Sequence, residues 1–293
     1  CVFCAFRRDR EEDQGAFCLS TEEVLERLRA ADATPLHLDE LHIVGGCHPT
    51  RPFQWFLDTL RAARELNPDL LIKAFTPVEI AHFAKMEGCS TLEVLQRLKE
   101  AGLVMMPGGG AEIFDEEIRA RICPDKGSTA EWLAVHEAAH RLGIKTNATI
   151  LYGHIEGVEH RIDHLDRLRA LQDRTGGFNA FIPLKYRNYG NAMSEVGEVS
   201  VIEDLRMLAM SRIYLDNIPH VKAYWVMYGK ATTELALAFG ADDIDGTIDD
   251  TTKIYSMAGA DDRRPRMTAD EMRTIVRHAG LRAVERDTLY NEL

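Results

Sequence analysis

The chain has 293 residues, with 47 acidic side chains against 35 Lys and Arg and a net charge of −12. That balance excludes a nucleic-acid face, which needs clustered cations, and no apolar run approaches the ~18 residues that span a bilayer. A hydrophobic fraction of 45% and a charged fraction of 28% are ordinary for a globular chain, here long enough for one large core. Six scattered cysteines, at 1, 4, 18, 47, 89 and 123, form no disulfide framework. With no signal-peptide pattern, the expectation is reduced thiols in a cytoplasmic protein.

Taken in order, the chain opens on Cys1-Val2-Phe3-Cys4. A CxxC reads as a redox pair, half a zinc site, part of an iron–sulfur nest or an accident of sequence, and spacing alone leaves all four open. Short apolar runs then recur at 41–44, 70–75, 103–106, 144–151, 180–184, 221–227 and, weakly, 245–248. Between them lie helices opened by hydroxyl–carboxylate pairs three apart: Ser20/Glu23, Ser90/Glu93, Ser128/Glu131, Ser200/Glu203 and Thr268/Glu271. In each pair the hydroxyl takes an orphan N–H of the first turn and the Glu reaches back to the cap. Gly102, Gly143, Gly240 and Gly280 stand where helices should end.

Strands alternating with helices predict βαβ units and a parallel sheet. The absence of a GxGxxG after any strand disfavours a dinucleotide-binding open sheet. The expected fold is a (β/α) TIM-type barrel over residues 1–252, its first strand upstream of Cys1. A C-terminal helical extension over 253–293 is joined to it by the polar stretch Asp261 to Pro265.

In such a barrel the chemistry collects at the carboxyl ends of the strands. Those positions carry Gly45-Gly46-Cys47-His48, then Thr76, Pro77 and Glu79, then Gly108-Gly109-Gly110-Ala111-Glu112. Tyr152-Gly153-His154 and Lys185-Tyr186-Arg187 follow. Glycine there lets backbone approach a ligand closely. His136-Glu137-Ala138-Ala139-His140 matches HExxH literally, but its helix should lie outside the barrel with no third ligand. A zinc-dependent barrel hydrolase is therefore only a distant alternative. His160 and His164, also four apart, lack the motif.

These residues resemble a known family. Cys1-Val2-Phe3-Cys4 is similar to the end of the CxxxCxΦC motif of radical S-adenosylmethionine (SAM) enzymes, whose first Cys would stand four residues before Cys1. CAFRR, GGCHPT from Gly45, KAFTPVEI from Lys73 and PGGGAEIF from Pro107 resemble the menaquinone (futalosine) branch of that family. ATILYGHIE, GGFNAFIPL and LDNIPHVKAYW extend the likeness over nearly the whole chain. HFAKMEG and FGADDIDGTI look more like the aminofutalosine-forming activity than the sister dehypoxanthine futalosine cyclase.

The resemblance implies a [4Fe–4S] cluster held by Cys1, Cys4 and the upstream Cys, with SAM on its open iron. It implies addition of a 5′-deoxyadenosyl radical to 3-[(1-carboxyvinyl)oxy]benzoate, with aryl migration and loss of a carboxylate. It implies an electron donor such as flavodoxin or ferredoxin, and neither nucleic acid nor membrane as partner. Phe3, Gly45, Gly46, Glu112 and Arg119 become candidate cofactor contacts, with Phe3 by the adenine, Glu112 on the ribose and Arg119 on the SAM carboxylate. The family's common GGE is here GGC. His48 and Glu112 are the candidate catalytic residues, and His48, His154, Lys185 and Arg187 the candidate contacts for a dicarboxylate substrate.

Overall fold

Six short strands, each followed by helix, build one parallel sheet whose strands lie in chain order: β1 (Glu40–Ile43), β2 (Leu71–Ala74), β3 (Leu103–Met106), β4 (Lys145–Tyr152), β5 (Phe178–Lys185) and β6 (His220–Val221). The computed structural model describes residues 1–33, 38–248 and 266–293. The expected boundary at 252/253 and the joint at 261–265 lie outside the described residues. The sheet curls on itself into a barrel. His42 on β1 and Lys222, one residue past β6, lie close enough to act on each other's charge, although four strands separate them in the sheet.

The helices are α1 (Thr21–Asp32), α2 (Phe53–Leu66), α3 (Pro77–Glu87), α4 (Thr91–Glu100), α5 (Glu116–Ile122), α6 (Thr129–Arg141), α7 (Val158–Thr175), α8 (Val201–Tyr214), α9 (Trp225–Tyr228), α10 (Lys230–Leu237) and α11 (Ala269–His278). All five expected hydroxyl caps form. Ser20, Ser90 and Thr268 close the full box with Glu23, Glu93 and Glu271, whereas Ser128 and Ser200 supply the hydroxyl half alone. Gly102, Gly143, Gly240 and Gly280 all take positive φ. Two buried clusters fill the fold. One, with Phe53, Leu60, Ile72 and Leu98, lies under α2 and α4. The other, with Phe114, Ile150, Leu168 and Phe181, lies under α5 to α8.

Two expected strands differ. The run at 221–227 leaves the sheet after Val221, and Trp225–Tyr228 turns helical. Trp225 and Val226 are drawn into an apolar cluster with Ile244, Met267 and Ile275, and the Trp225 indole donates to the Gly246 carbonyl at 3.0 Å. The weak strand at 245–248 is replaced by one parallel bridge, Lys222 to Asp243. Asp245 sits at φ +73°, a left-handed geometry that cannot continue a strand. It is held there by Lys222 at 2.8 Å.

Residues of a strand face alternately outward to the helices and inward to the barrel axis. Thr146 and Tyr152 of β4 and Lys185 of β5 meet side chains of α6 and α8. Outward-facing Phe181 is fully buried under helices, while inward-facing Ile182 and Leu184 stay partly exposed to the interior.

Candidate active site

The carboxyl ends of β1 to β3 carry the backbone irregularities that a site requires. Phe75, just past β2, and Glu112, beyond β3, take left-handed φ of 59° and 49°. Such strain in non-glycine residues persists where the surroundings enforce it. Gly108 allows β3 to touch β4, since a Cβ there would lie 2.3 Å from the Asn147 carbonyl oxygen. Gly46 is the opposite case: it is exposed, and a Cβ would meet nothing within 4 Å, so its backbone lies bare toward open space.

Glu79 ties this edge together. Its carboxylate accepts from the Thr76 amide and hydroxyl, both at 2.8 Å, and from the Gly45 amide at 3.0 Å. It thus caps α3 while fixing the loop after β1. Burial pushes its carboxyl up to about 7, against the pull of those donors and of Lys126. The capping box Thr76-Pro77-Val78-Glu79 was present in the sequence, but its second grip on Gly45 was not legible there.

The opening loop docks at the same end. The Val2 amide donates to the Ile122 carbonyl at 2.9 Å, and the Ala192 amide to the Val2 carbonyl at 3.0 Å. Cys4 turns back on Cys1 through an N–H···O contact of 3.4 Å, and both thiols are free and half-buried. Lys126, absent from the sequence-based candidates, is the hub. Its ammonium pairs with the Glu112 carboxylate and stands 5.9 Å from the Phe3 ring centroid. Burial pulls its pKa down, but the charges of Glu112, Cys123 and Cys4 outweigh this and leave it raised. Cys4 likewise acts on Arg7. Nothing in the local sequence Pro124-Asp125-Lys126-Gly127 distinguishes this lysine from a turn residue.

Two free thiols three residues apart, in a tight turn between two cations, fit the donor set of a thiolate-ligated iron–sulfur cluster, with the cations offsetting its negative charge. Bare Gly46 backbone at the carboxyl end of β1 fits a cofactor that lies against it.

Arg119 is 3% exposed. Its Nη atoms donate to the carbonyls of Ala111, Ile113 and Gly127, which clamps the loop carrying Glu112 and Lys126. Its Nε is buried without a hydrogen-bond partner among the described residues and faces the Glu116 carboxylate at 4.0 Å. Arg119 also lines a cavity of about 110 Å³ with Cys47, His82, Lys85 and Trp132.

Other candidates lie further from this centre or are already engaged. His48 Nδ1 accepts from the Thr50 and Arg51 amides at 3.3 and 3.0 Å, and its Nε2 faces Glu11 at 3.5 Å. His154 is enclosed in its own turn, accepting from the Ile155 amide at 2.7 Å beside Glu156. Burial holds its imidazole below the usual range, with Glu156 and Glu112 opposing. Arg187 pairs with Glu198 at 2.8 Å. Lys185 points outward beneath α8, where it meets Asp204 at 3.0 Å in a buried pair shared with the Tyr152 hydroxyl. His136 and His140 of the HExxH sequence both bond Thr146 from outside the sheet, and His140 also bonds Thr175. His160 caps α7 through the Gly157 amide, and His164 stacks on Phe114 at 3.8 Å.

No helix among the described residues is long and apolar enough to cross a membrane. Residues 1–168 match the radical SAM superfamily, and 175–293 match the CofH/MqnC C-terminal region. The chain is 46% identical to an aminodeoxyfutalosine synthase of Thermus thermophilus, over all of this chain and 78% of that protein. It is 40% identical to one of Streptomyces coelicolor, over all of this chain and 77% of that protein. It is also 40% identical to a 5-amino-6-(D-ribitylamino)uracil–L-tyrosine 4-hydroxyphenyl transferase of Methanothermobacter thermautotrophicus, over all of this chain and 80% of that protein. Among solved structures, methylornithine synthase superposes with a TM-score of 0.69 at 16% identity, over 97% of this chain and 79% of that one, a likeness of fold. A parallel barrel with paired thiols docked at its carboxyl end, matched over its first 168 residues by this family, makes the chain a member of the radical SAM superfamily.

Proposed function

We propose that this chain forms aminofutalosine in menaquinone biosynthesis. It would join the 5′-deoxyadenosyl group of SAM to the enol-ether methylene of 3-[(1-carboxyvinyl)oxy]benzoate, with migration of the aryl group and loss of the enolpyruvyl carboxylate. The observation that carries this reading is the 46% identity to the Thermus synthase across every part of the chain. A reduced [4Fe–4S] cluster, when bound, supplies the electron that opens SAM to methionine and a 5′-deoxyadenosyl radical.

The chain's own residues have separable tasks. Cys1 and Cys4 hold the cluster from the opening loop, and Lys126 and Arg7 balance its charge. Gly45 and Gly46 offer unobstructed backbone to SAM, on a loop fixed by Glu79. Phe3 and Glu112, joined through Lys126, border the nucleoside. Arg119 shapes the Glu112 loop through three carbonyls, and its Nε, which makes only a long 4.0 Å approach to Glu116, is the atom offered to the SAM carboxylate. His48 and Arg187 stand around the mouth as substrate contacts, each already oriented by a protein partner, whereas His154, its side chain fully buried in its own turn, shapes that turn instead. Lys185, buried beneath α8, supports β5 rather than touching substrate. The physiological reductant is a small electron carrier of the flavodoxin or ferredoxin kind, in the cytoplasm. Among the described residues, 266–293 pack on the barrel as an extension, through Met267 and Ile275 against Trp225 and Ile244.

A second reading, transfer of the 4-hydroxyphenyl group of tyrosine to 5-amino-6-(D-ribitylamino)uracil, is favoured by the 40% identity to the Methanothermobacter enzyme. Anaerobically reconstituted enzyme with SAM and dithionite separates them. The expected result is aminofutalosine from the enolpyruvyl benzoate. Product only from tyrosine and the ribitylaminouracil, or only from dehypoxanthine futalosine, overturns the proposal in favour of the transferase or the cyclase.

A further inference from the structure

Below the mouth the barrel interior carries a belt of charge. Lys73 on β2 pairs with Glu40 on β1. Lys222 lies 2.8 Å from Asp245 and 3.9 Å from Asp243, and Arg286 lies 2.6 Å from Asp243. Lys73 and Lys222 are 7% and 3% exposed. Three cations face three carboxylates, so the belt is neutral within itself and none of its ammonium groups stands free for a ligand.

His42 is the exception. It occupies β1 in register with Lys73 and is exposed. It makes no hydrogen bond among the described residues, while Glu40, Lys73, Lys222 and Asp245 surround it electrostatically. It stands three residues before Gly45, which lies in the loop just past β1, and so up to about 10 Å deeper at ~3.3 Å per residue.

The reacting methylene of the proposed substrate must lie at the mouth, where Cys1, Cys4 and Gly46 lie. The ring carboxylate is at the opposite end of that molecule and points down the barrel. A carboxylate lowered onto a neutral belt needs a donor that the protein has not already paired. Resting on the synthase reading above, we infer that His42 is a specificity-determining residue that donates a hydrogen bond to the ring carboxylate of 3-[(1-carboxyvinyl)oxy]benzoate. An open imidazole in register with Lys73 thereby gains a role beside cations that are already paired. It also distinguishes this end of the substrate from the enolpyruvyl carboxylate, which stays at the mouth and is lost.

The test uses cluster-loaded enzyme without reductant, which binds but cannot turn over, and calorimetry with two ligands: the enolpyruvyl benzoate and 2-phenoxyacrylate, which lacks the ring carboxylate. The wild type should prefer the first. His42→Leu should weaken that ligand about tenfold to a hundredfold and leave 2-phenoxyacrylate unchanged. His42→Gln, which keeps a donor, should recover part of the loss. In turnover the change should appear in KM with kcat nearly constant. Equal weakening of both ligands, or no weakening of either, overturns the assignment. A wild type that neither binds nor converts the enolpyruvyl benzoate removes the synthase reading and this inference together, whereas wild-type turnover with an indifferent His42→Leu removes the inference alone.

Discussion

The mouth of the barrel and its floor treat polar groups in opposite ways. On the floor every cation has a carboxylate: Lys73 with Glu40, Lys222 with Asp245, Arg286 with Asp243. The C-terminal segment closes over them, with the Tyr290 hydroxyl donating to Asp243 at 2.5 Å and its ring stacked 4.1 Å from His220. At the mouth the thiols are free, Gly46 is bare, Phe75 and Glu112 are strained, and the Glu79 carboxyl is pushed up to about 7. Floor charges are spent on holding strands together, and mouth groups are left incomplete so that a ligand can complete them. The reactive groups thus gather at the carboxyl ends of the strands, as barrel chemistry does, and the paired charges lie within the barrel below them.

The sharpest way to break the comparison is a matched pair of substitutions. Cys4→Ser at the mouth should abolish product and the visible absorption of the reconstituted cluster, while changing the unfolding free energy of the cluster-free chain by less than about 0.5 kcal/mol. Asp243→Ala on the floor removes the 2.6 Å partner of Arg286 and leaves Arg286 and Lys222 to share Asp245, and removing one partner from such a buried network costs up to about 3–5 kcal/mol. Urea denaturation would read it directly. A cost below about 1 kcal/mol would mean that the belt is not what holds the closing edge, and the contrast between floor and mouth would fail.

How much of this was legible beforehand varies with the kind of interaction. The strands and caps were, because apolar period and the Ser-x-x-Glu pattern act within a few residues. So were the glycine-rich ends and the paired thiols. The end of β6 was not: Val221 to Met227 reads as one apolar run, and only the packing of Trp225 against Ile244 and Met267 turns its second half helical. Lys126 was missed because its partners, Glu112, Phe3 and Cys4, are gathered by the fold from three separate segments. Lys185 illustrates the reverse error of scale. It ends β5 as expected, but strand alternation turns it outward to Asp204, and one residue of phase decides between substrate and helix.

The smallest predicted effect links the two regions through pH. Glu79 is fully enclosed, and burial raises its carboxyl from an ordinary value of 4.5 to about 7. The folded chain therefore keeps this proton over a range where the unfolded chain has released it. Where the native state binds more protons, stability falls as pH rises. Glu79 should thus contribute stability that is complete below about pH 4.5 and is lost as the pH climbs through 7, amounting to about 3 kcal/mol at most. Urea midpoints of the cluster-free chain measured from pH 4.5 to 8 should show this downward slope, and Glu79→Gln, which cannot titrate, should flatten it. The ionised form above pH 7 is the one that accepts from Gly45 and Thr76 together, so the same titration that weakens the fold tightens the loop carrying Gly46. An unchanged slope in Glu79→Gln would assign the pH dependence to another group and leave Glu79 as a helix cap alone.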